Sequence, residues 1–347
     1  SGGSFDEPND PNRGDVHYWE VWHGNKPFAE YRKYFFRYAS EFGFQSFPSV
    51  KTLETVTDDP RELNPFSYVM EKHQRNYGGN GKIAKYMQAA YRYPENFSNF
   101  VYASQLLQAD GIRYGVEHYR RNRGRCMGAI YWQLNDCWPV ISWSSIDYYG
   151  RWKALHYYAK RFFAPVMLSC EEQSWMTVEA DMNRQHFEFE KSIRLNVTNE
   201  TLTAHKVLVK YAVRDASAKI LRQEEQWVEV PALSSVWMDK VELPEIDSFN
   251  EYVSYEAWEN EKIISQGTVI FSYPKYFHYQ DPKLSVRVEG DEIIVSAEAY
   301  AKSVEIQNEN DDLILEDNYF DMNAGECRVK ILDGKPENLK VRSVYDI

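Results

Sequence analysis

The sequence predicts an α/β plus all-β chain: part of a (β/α)8 TIM barrel, followed by two Ig-like β-sandwich domains. Three observations carry this. The run CMGAIYWQL, residues 126–134, is almost continuously apolar, the pattern of a strand buried on both faces in a parallel sheet, and it stands among helical stretches. Beyond Pro165 the rhythm changes to short strands with alternating apolar and polar residues. Charge changes at the same place. The formal charge is −12 over 347 residues, yet the segment up to Pro165 is slightly basic and the whole acidic excess lies after it. A content of 43% hydrophobic and 16% aromatic residues supplies two or three cores and excludes disorder as the global state.

The opening SGGSFDEPNDPNRGD is loop-like, rich in Gly, Pro, Asn and Asp. DVHYWEVW then reads as a strand, PFAEYRKYF as a short helix with Pro27 in its first turn, and RYASEF as a second strand. IAKYMQAAY places Ile83, Tyr86, Met87 and Ala90 on one helical face. Phe97, Phe100, Val101, Leu107 and Tyr114 form a stripe along a second helix over 97–122. After CMGAIYWQL, RWKALHYYAKRFF is a closing amphipathic helix. Eight strands are needed to close such a barrel, and an exposed parallel edge is unstable, so three strands imply the C-terminal part of a larger enzyme.

In the β half, SIRLNVTN puts Ile193, Leu195 and Val197 on one face, and HKVLVKYAV follows within hairpin distance. SYPKYFHYQDPK, with Pro274 and Pro282, marks a break. LSVRVEGDEIIVSAEAY then reads as two strands around a Gly-Asp turn. The predicted domains are a partial barrel over 1–165, a first sandwich over 166–273 and a second over 274–347.

The negative charge excludes a nucleic-acid partner, which would require a basic face, and a neutral substrate fits it better. No apolar run reaches the roughly 18 residues of a membrane span. Cys126, Cys137, Cys170 and Cys327 are scattered without ligand-like or disulfide-framework spacing. No metal or other cofactor is expected, and the cysteine pattern leans to a cytoplasmic setting.

Active sites of barrels lie at the C-terminal ends of their strands, which directs attention to three stretches. In SEFGFQSFP, Glu41 sits beside Phe42, Phe44 and Phe47. Desolvation by these rings or a nearby hydrogen-bond donor would act on its ionisation in opposite directions, and a structural carboxylate in a salt bridge or cap is the alternative. In YWQLNDCWP, Trp132 precedes Gln133, Asn135, Asp136 and Trp138. An indole beside amides and carboxylates suits the apolar C–H face and hydroxyls of a sugar; a core tryptophan followed by a polar loop is the plainer reading. HYWEVWHG gathers His17, Trp19, Trp22 and His23 around one strand end. Two histidines six apart lack metal-helix spacing and point to hydrogen bonding.

Taken together, DVHYWEVWHGNKPF, SEFGFQSFPS and AIYWQLNDCWPVISWSSID, followed near the end by DNYFDMNAGE, resemble the C-terminal part of a β-mannosidase of glycoside hydrolase family two, among the clan A retaining glycosidases. The resemblance runs in order along essentially the whole chain. It implies a retaining exo-glycosidase that removes terminal non-reducing β-D-mannose, with DVHYWEVW, RYASEF and CMGAIYWQL as the sixth, seventh and eighth barrel strands. Glu41 would be the nucleophile, Trp132 would lie at the sugar subsite, and Trp22, His23, Asn135, Asp136 and Trp138 would bind substrate around it.

A retaining mechanism uses two carboxyl groups about 5–5.5 Å apart. The family's acid/base is a glutamate after an asparagine at the end of the fourth strand. Here Asn199-Glu200, Asn250-Glu251, Asn260-Glu261 and Asn308-Glu309 all lie in the β half. The chain is therefore expected to be inactive alone, to need the N-terminal half as its partner, and to act on a β-mannoside glycan, with homo-oligomerisation left open. The alternatives are a non-catalytic carbohydrate-binding or assembly module, or a relative acting on a β-glucosaminide, β-galactoside or β-glucuronide.

Overall fold

Three short parallel strands, β1 (Val16–His17), β2 (Ala39–Phe42) and β3 (Ala129–Tyr131), form a sheet in the order β1-β2-β3 in the computed structural model, which describes residue 7 and residues 9–178 and 189–347. The helices are α1 (Val50–Leu53), α2 (Tyr68–Lys72), α3 (Gly79–Ala90), α4 (Phe97–Arg121) and α5 (Ala154–Phe162). Seven strands follow: β4 (Val166–Gln173), β5 (Ser192–Asn199), β6 (His205–Asp215), β7 (Ile220–Val230), β8 (Ser234–Glu242), β9 (Glu251–Glu259) and β10 (Lys262–Ile270). The last seven are β11 (Ser285–Glu289), β12 (Glu292–Ala297), β13 (Ala301–Gln307), β14 (Ile314–Leu315), β15 (Phe320–Met322), β16 (Gly325–Asp333) and β17 (Lys340–Arg342).

The chain divides into two units, each drawn from three segments. The first comprises Ser1–Phe42, Ile112–Tyr131 and Lys160–His278. Around its parallel sheet, Tyr31 and Tyr119 pack against Phe42 with ring centroids 5.5 and 5.8 Å away. Gly115 lets α4 pass close over β2, because a Cβ there would lie 2.9 Å from the Phe42 ring. The sandwich in this unit stacks the sheet β4-β5-β8 on β10-β9-β6-β7. Alternate residues Ile193, Leu195 and Val197 of β5 meet Val207, Val209 and Val213 of β6 in one core.

Charged side chains join the sandwich to the helical part of the same unit. Arg32 donates from Nη2 to Glu172 Oε2 at 2.7 Å and from Nη1 to the Glu172 carbonyl at 2.9 Å, and Tyr114 Oη donates to Glu172 Oε1 at 2.5 Å. Burial of Glu172 disfavours its charge. The Arg32 charge and the Tyr114 hydrogen bond outweigh that, and the carboxyl stays below its usual range.

The second unit comprises Gly43–Gly111, Trp132–Ala159 and Tyr279–Ile347. Its sandwich contains the sheets β11-β12-β16-β14 and β15-β13-β17, and the β11–β12 hairpin turns through Gly290 at φ 64°. Within this unit Phe47 packs edge-on against Phe100 of α4 at 5.2 Å. Buried Gln108 accepts from Ser46 Oγ at 2.7 Å and donates to the Phe44 carbonyl at 2.8 Å, so the backbone after Gly43 has partners away from water. Tyr102 donates to the Ser303 carbonyl at 2.5 Å, and the Arg342 guanidinium lies 4.5 Å over the Tyr102 ring, which fixes α4 to the sandwich.

Four expectations change. The strand expected over DVHYWEVW is only Val16–His17: Tyr18 N still bonds the Glu41 carbonyl, but the carbonyls of Trp19 and Glu20 accept from His23 and Lys26, which closes the backbone into a turn. CMGAIYWQL contributes only Ala129–Tyr131, at the edge of its sheet, and it is not buried on both faces: Ile130 is 52% exposed. Pro27 caps a 3-10 helix, Phe28–Lys33, from outside. Finally β5 and β6 are not a hairpin. Buried Asn199 donates to the carbonyls of Thr203 and Pro231 at 2.8 and 2.9 Å, ordering a connection that crosses to the other sheet.

Candidate active site

Glu41 is the next-to-last residue of β2, and His17 of β1 is its register partner. That register sets the environment of its carboxylate. The turn after β1 brings Trp19 back over the strand, and the indole Nε1 donates to Glu41 Oε1 at 2.8 Å. His17 Nδ1 lies 3.7 Å from the same oxygen. One carboxylate oxygen is thus fixed by an indole N–H, while the side chain remains about one-quarter exposed and open to a reacting partner. Beneath it Ser40 Oγ donates to Asp15 Oδ2, and Asp15 faces the other imidazole nitrogen of His17, Nε2, at 4.0 Å. The His17 ring thus stands between the carboxylates of Glu41 and Asp15, beyond hydrogen-bond distance of either.

Of the aromatic residues predicted around this strand end, Trp19 therefore makes the contact with Glu41. Trp22 is fully buried and presents no indole surface to solvent. His23 is exposed and stands against Trp19, with ring centroids 5.3 Å apart. Which tryptophan reaches the carboxylate depends on the tight turn, which no periodicity in HYWEVWHG announces.

The NDCWP loop belongs to the second unit. Trp132, 45% exposed, is joined to Gln133 by a cis peptide, and Trp138 is 38% exposed. Asn135 is exposed and donates through Nδ2 to the Asp136 carbonyl at 3.3 Å. Asp136 itself is buried. Ser142 and Ser144 donate to its two oxygens at 2.7 and 2.5 Å, so this carboxylate clasps the loop that carries Trp138. His73 lies tilted against the Trp138 indole, ring centroids 5.0 Å apart, and bonds the Pro139 carbonyl through Nδ1 at 2.6 Å. The Ile141 N–H returns to the His73 carbonyl at 2.7 Å. Sequence reading missed His73, whose neighbours in MEKHQRN give no sign of a loop some 65 residues away.

Lys153 was missed too, and it is the only fully buried lysine among the largest buried side chains of the described residues. Its Nζ donates to the carbonyls of Ser46 and Ser142 at 3.3 and 3.5 Å. Burial lowers its pKa to about 8 against the opposing pull of Asp136 and Asp147, and burial raises that of Asp136 against Lys153 and the two serines. Each neutral form is favoured by the same desolvation. The unfolded chain therefore binds more protons at this lysine between about pH 8 and its ordinary 10.5, and stability rises with pH over that window. Lys153→Met should flatten this rise, removing on the order of 2 kcal/mol of pH-dependent stability in urea melts at pH 7.5 and 10.

Two family models match the β half: a mannosidase Ig/CBM-like domain over residues 191–276 and an Ig-fold domain over residues 279–347. Over 96% of its length the chain is 30% identical to beta-mannosidase B of Thermothelomyces thermophilus, covering 41% of that protein. It is 36% identical over 173 residues, 46% of the chain and 19% of the relative, to the beta-mannosidase of Capra hircus. The crystal structure of a beta-D-mannosidase from Dictyoglomus thermophilum superposes on 99% of the chain with a TM-score of 0.84 at 28% identity, again over 41% of that protein. An exo-chitosanase from Amycolatopsis orientalis shares the fold at a TM-score of 0.66 and 16% identity. The chain spans about two fifths of the beta-mannosidases it matches along its length. By these matches it is related, over nearly all of its residues, to the beta-mannosidases, and its own residues 191–347 carry their immunoglobulin-type modules.

Proposed function

We propose that this chain is the C-terminal part of a retaining exo-β-mannosidase, with Glu41 as the nucleophile that attacks the anomeric carbon of a terminal β-D-mannoside. The observation that carries the reading is the Trp19 Nε1 to Glu41 Oε1 hydrogen bond of 2.8 Å at the C-terminal end of a parallel strand. An attacking carboxylate needs one oxygen oriented and the other free, and it needs to sit where parallel strands end. In this reading β1, β2 and β3 are three strands of a (β/α)8 barrel. The unpaired backbone edge of β3 supports a further strand beside it, and exposed Ile130 supports further cover over that face of the sheet.

In the second unit, the resemblance to the family assigns Trp132 to sugar stacking, and exposed Trp138 and Asn135 stand in the same loop. Asp136, His73 and Lys153 act through the loop as positioning residues. Mannose as the sugar rests on the relatives' names and on SEFGFQSFP.

The reading has a direct test. The chain alone should not hydrolyse an aryl β-mannoside above buffer. Placed behind the N-terminal part of a beta-mannosidase relative, in exchange for that relative's matching segment, it should hydrolyse the substrate with retention of anomeric configuration. Turnover by the chain alone would remove the need for an upstream acid; inversion in the chimera would remove the nucleophile.

A further inference from the structure

The first sandwich has an outward face that Glu41 and its neighbours do not use. On β6, Val207, Val209 and Val213 point into the core, so Leu208, Lys210, Ala212 and Arg214 point out. Register arranges their neighbours in rows across three strands. Leu208 lies between Trp227 of β7 and Trp258 of β9, Lys210 between Glu225 and Glu256, and Ala212 between Gln223 and Ser254. The third row has the small residues. Ala212 and Ser254 form the floor of an open trough of about 320 Å³, and the longer side chains of Lys210, Arg214, Gln223 and Glu256 wall it.

The polar groups of this trough are held in place. Arg214 Nε donates to Ser254 Oγ at 2.9 Å, and Trp258 Nε1 donates to Glu256 Oε2 at 2.8 Å. Lys210 Nζ lies 3.7 Å from Glu225 Oε2 and 5.0 Å over the Trp258 ring. Outside the lining of the trough, two rows along the same face from Ala212, Trp227 is 59% exposed, with Lys206 Nζ 5.4 Å from the centre of its ring.

Charges of both signs alternate here, so neither a polyanion nor a polycation is favoured. Exposed Trp227 and half-buried Trp258, beside carboxylates, an amide and ammonium groups, match a neutral polymer with apolar C–H faces and many hydroxyls. From Leu208 to Ala212 the rows span about 13 Å of strand, room for a short run of pyranose rings lying along β6. We propose that this face is a non-catalytic site for a β-mannan chain, separate from Glu41. Only the choice of mannan rests on the catalytic reading above.

Affinity electrophoresis of the chain in gels containing soluble glucomannan tests the proposal, with hydroxyethylcellulose gels alongside. The parent chain should be retarded by glucomannan. Trp227→Ala and Glu256→Ala should each weaken binding at least tenfold, while Trp227→Phe, which keeps a stacking ring, should retain most of it. Retardation unchanged by Trp227→Ala, absent from the parent chain, or confined to hydroxyethylcellulose overturns the proposal. Loss in Trp132→Ala with Trp227→Ala unaffected also overturns it and assigns the binding to the NDCWP loop. Failure of the chimera to hydrolyse an aryl β-mannoside, with Trp227-dependent retardation intact, would sink the catalytic reading and leave this site standing.

Discussion

Glu41→Gln in the chimera is expected to lower kcat/KM for an aryl β-mannoside at least about a thousandfold, a loss of roughly 4 kcal/mol of transition-state stabilisation. An amide is nearly the shape of a carboxylate. It can still accept from Trp19 Nε1 and stay in register opposite His17, so the strand end should be undisturbed. What disappears is the negative oxygen that bonds the anomeric carbon. Because an aryl leaving group needs little protonation, the defect falls on formation of the glycosyl-enzyme, and a faster-leaving phenol should not restore the rate. An unchanged melting temperature alongside that loss separates chemistry from folding; a small loss of rate would make Glu41 a structural carboxylate.

The largest expected effect on stability lies elsewhere in the same unit. Glu172 is 3% exposed, and removing it by Glu172→Ala leaves the Arg32 guanidinium buried without its carboxylate and the Tyr114 hydroxyl without its acceptor. Breaking a buried pair from one side costs about 3–5 kcal/mol, because the remaining charge stays desolvated. Urea unfolding of the chain should register a loss of this size. Arg32→Met together with Glu172→Met should recover much of it, since no charge is then stranded. The same pair makes the fold acid-sensitive. The folded carboxyl is held below the ordinary 4.5, so its contribution is complete above that pH and is lost as pH falls through the lower folded value. In Glu172→Gln that part of the acid dependence should vanish.

The alternation of Ile193, Leu195 and Val197 was readable because core-facing residues of a strand recur every two positions, although the polar face of β5 is largely buried too, with Thr198 donating to the Arg120 carbonyl and Asn196 accepting from Ser235. The helices α3 and α4 were readable from the helical spacing of their apolar residues, although α4 is buried on nearly every side rather than along one stripe. Strand extent was less accessible. CMGAIYWQL is apolar because of what it would pack against, and its backbone leaves the ladder after Tyr131 whatever its hydropathy. The pairing of β5 and β6 was lost for want of a turn signal: the decisive residue, Asn199, acts through three distant or looped carbonyls.

At the candidate site Glu41 drew attention through its setting among small and aromatic residues, and the structure places it near the end of β2. Its partner was less so, since HYWEVWHG offers two tryptophans and only the turn separates half-buried Trp19 from fully buried Trp22. Asp136 was singled out as a sugar ligand; the structure places it buried, accepting from Ser142 and Ser144. Lys153 gave no signal. In RWKALHYY a lysine reads as a solvated charge, and its burial is created by the carbonyls of Ser46 and Ser142, which come from two other parts of the chain.

The central claim is that Glu41 becomes covalently bound to mannose during turnover. A fluorinated mannosyl fluoride, which forms the glycosyl-enzyme readily and releases it slowly, should inactivate the chimera with one equivalent of label. Peptide mapping by mass spectrometry should find that label on the peptide containing SEFGFQSFP, at Glu41, and Glu41→Gln should abolish it. Label on a different carboxylate, or full inactivation of Glu41→Gln at the same rate, would contradict the account.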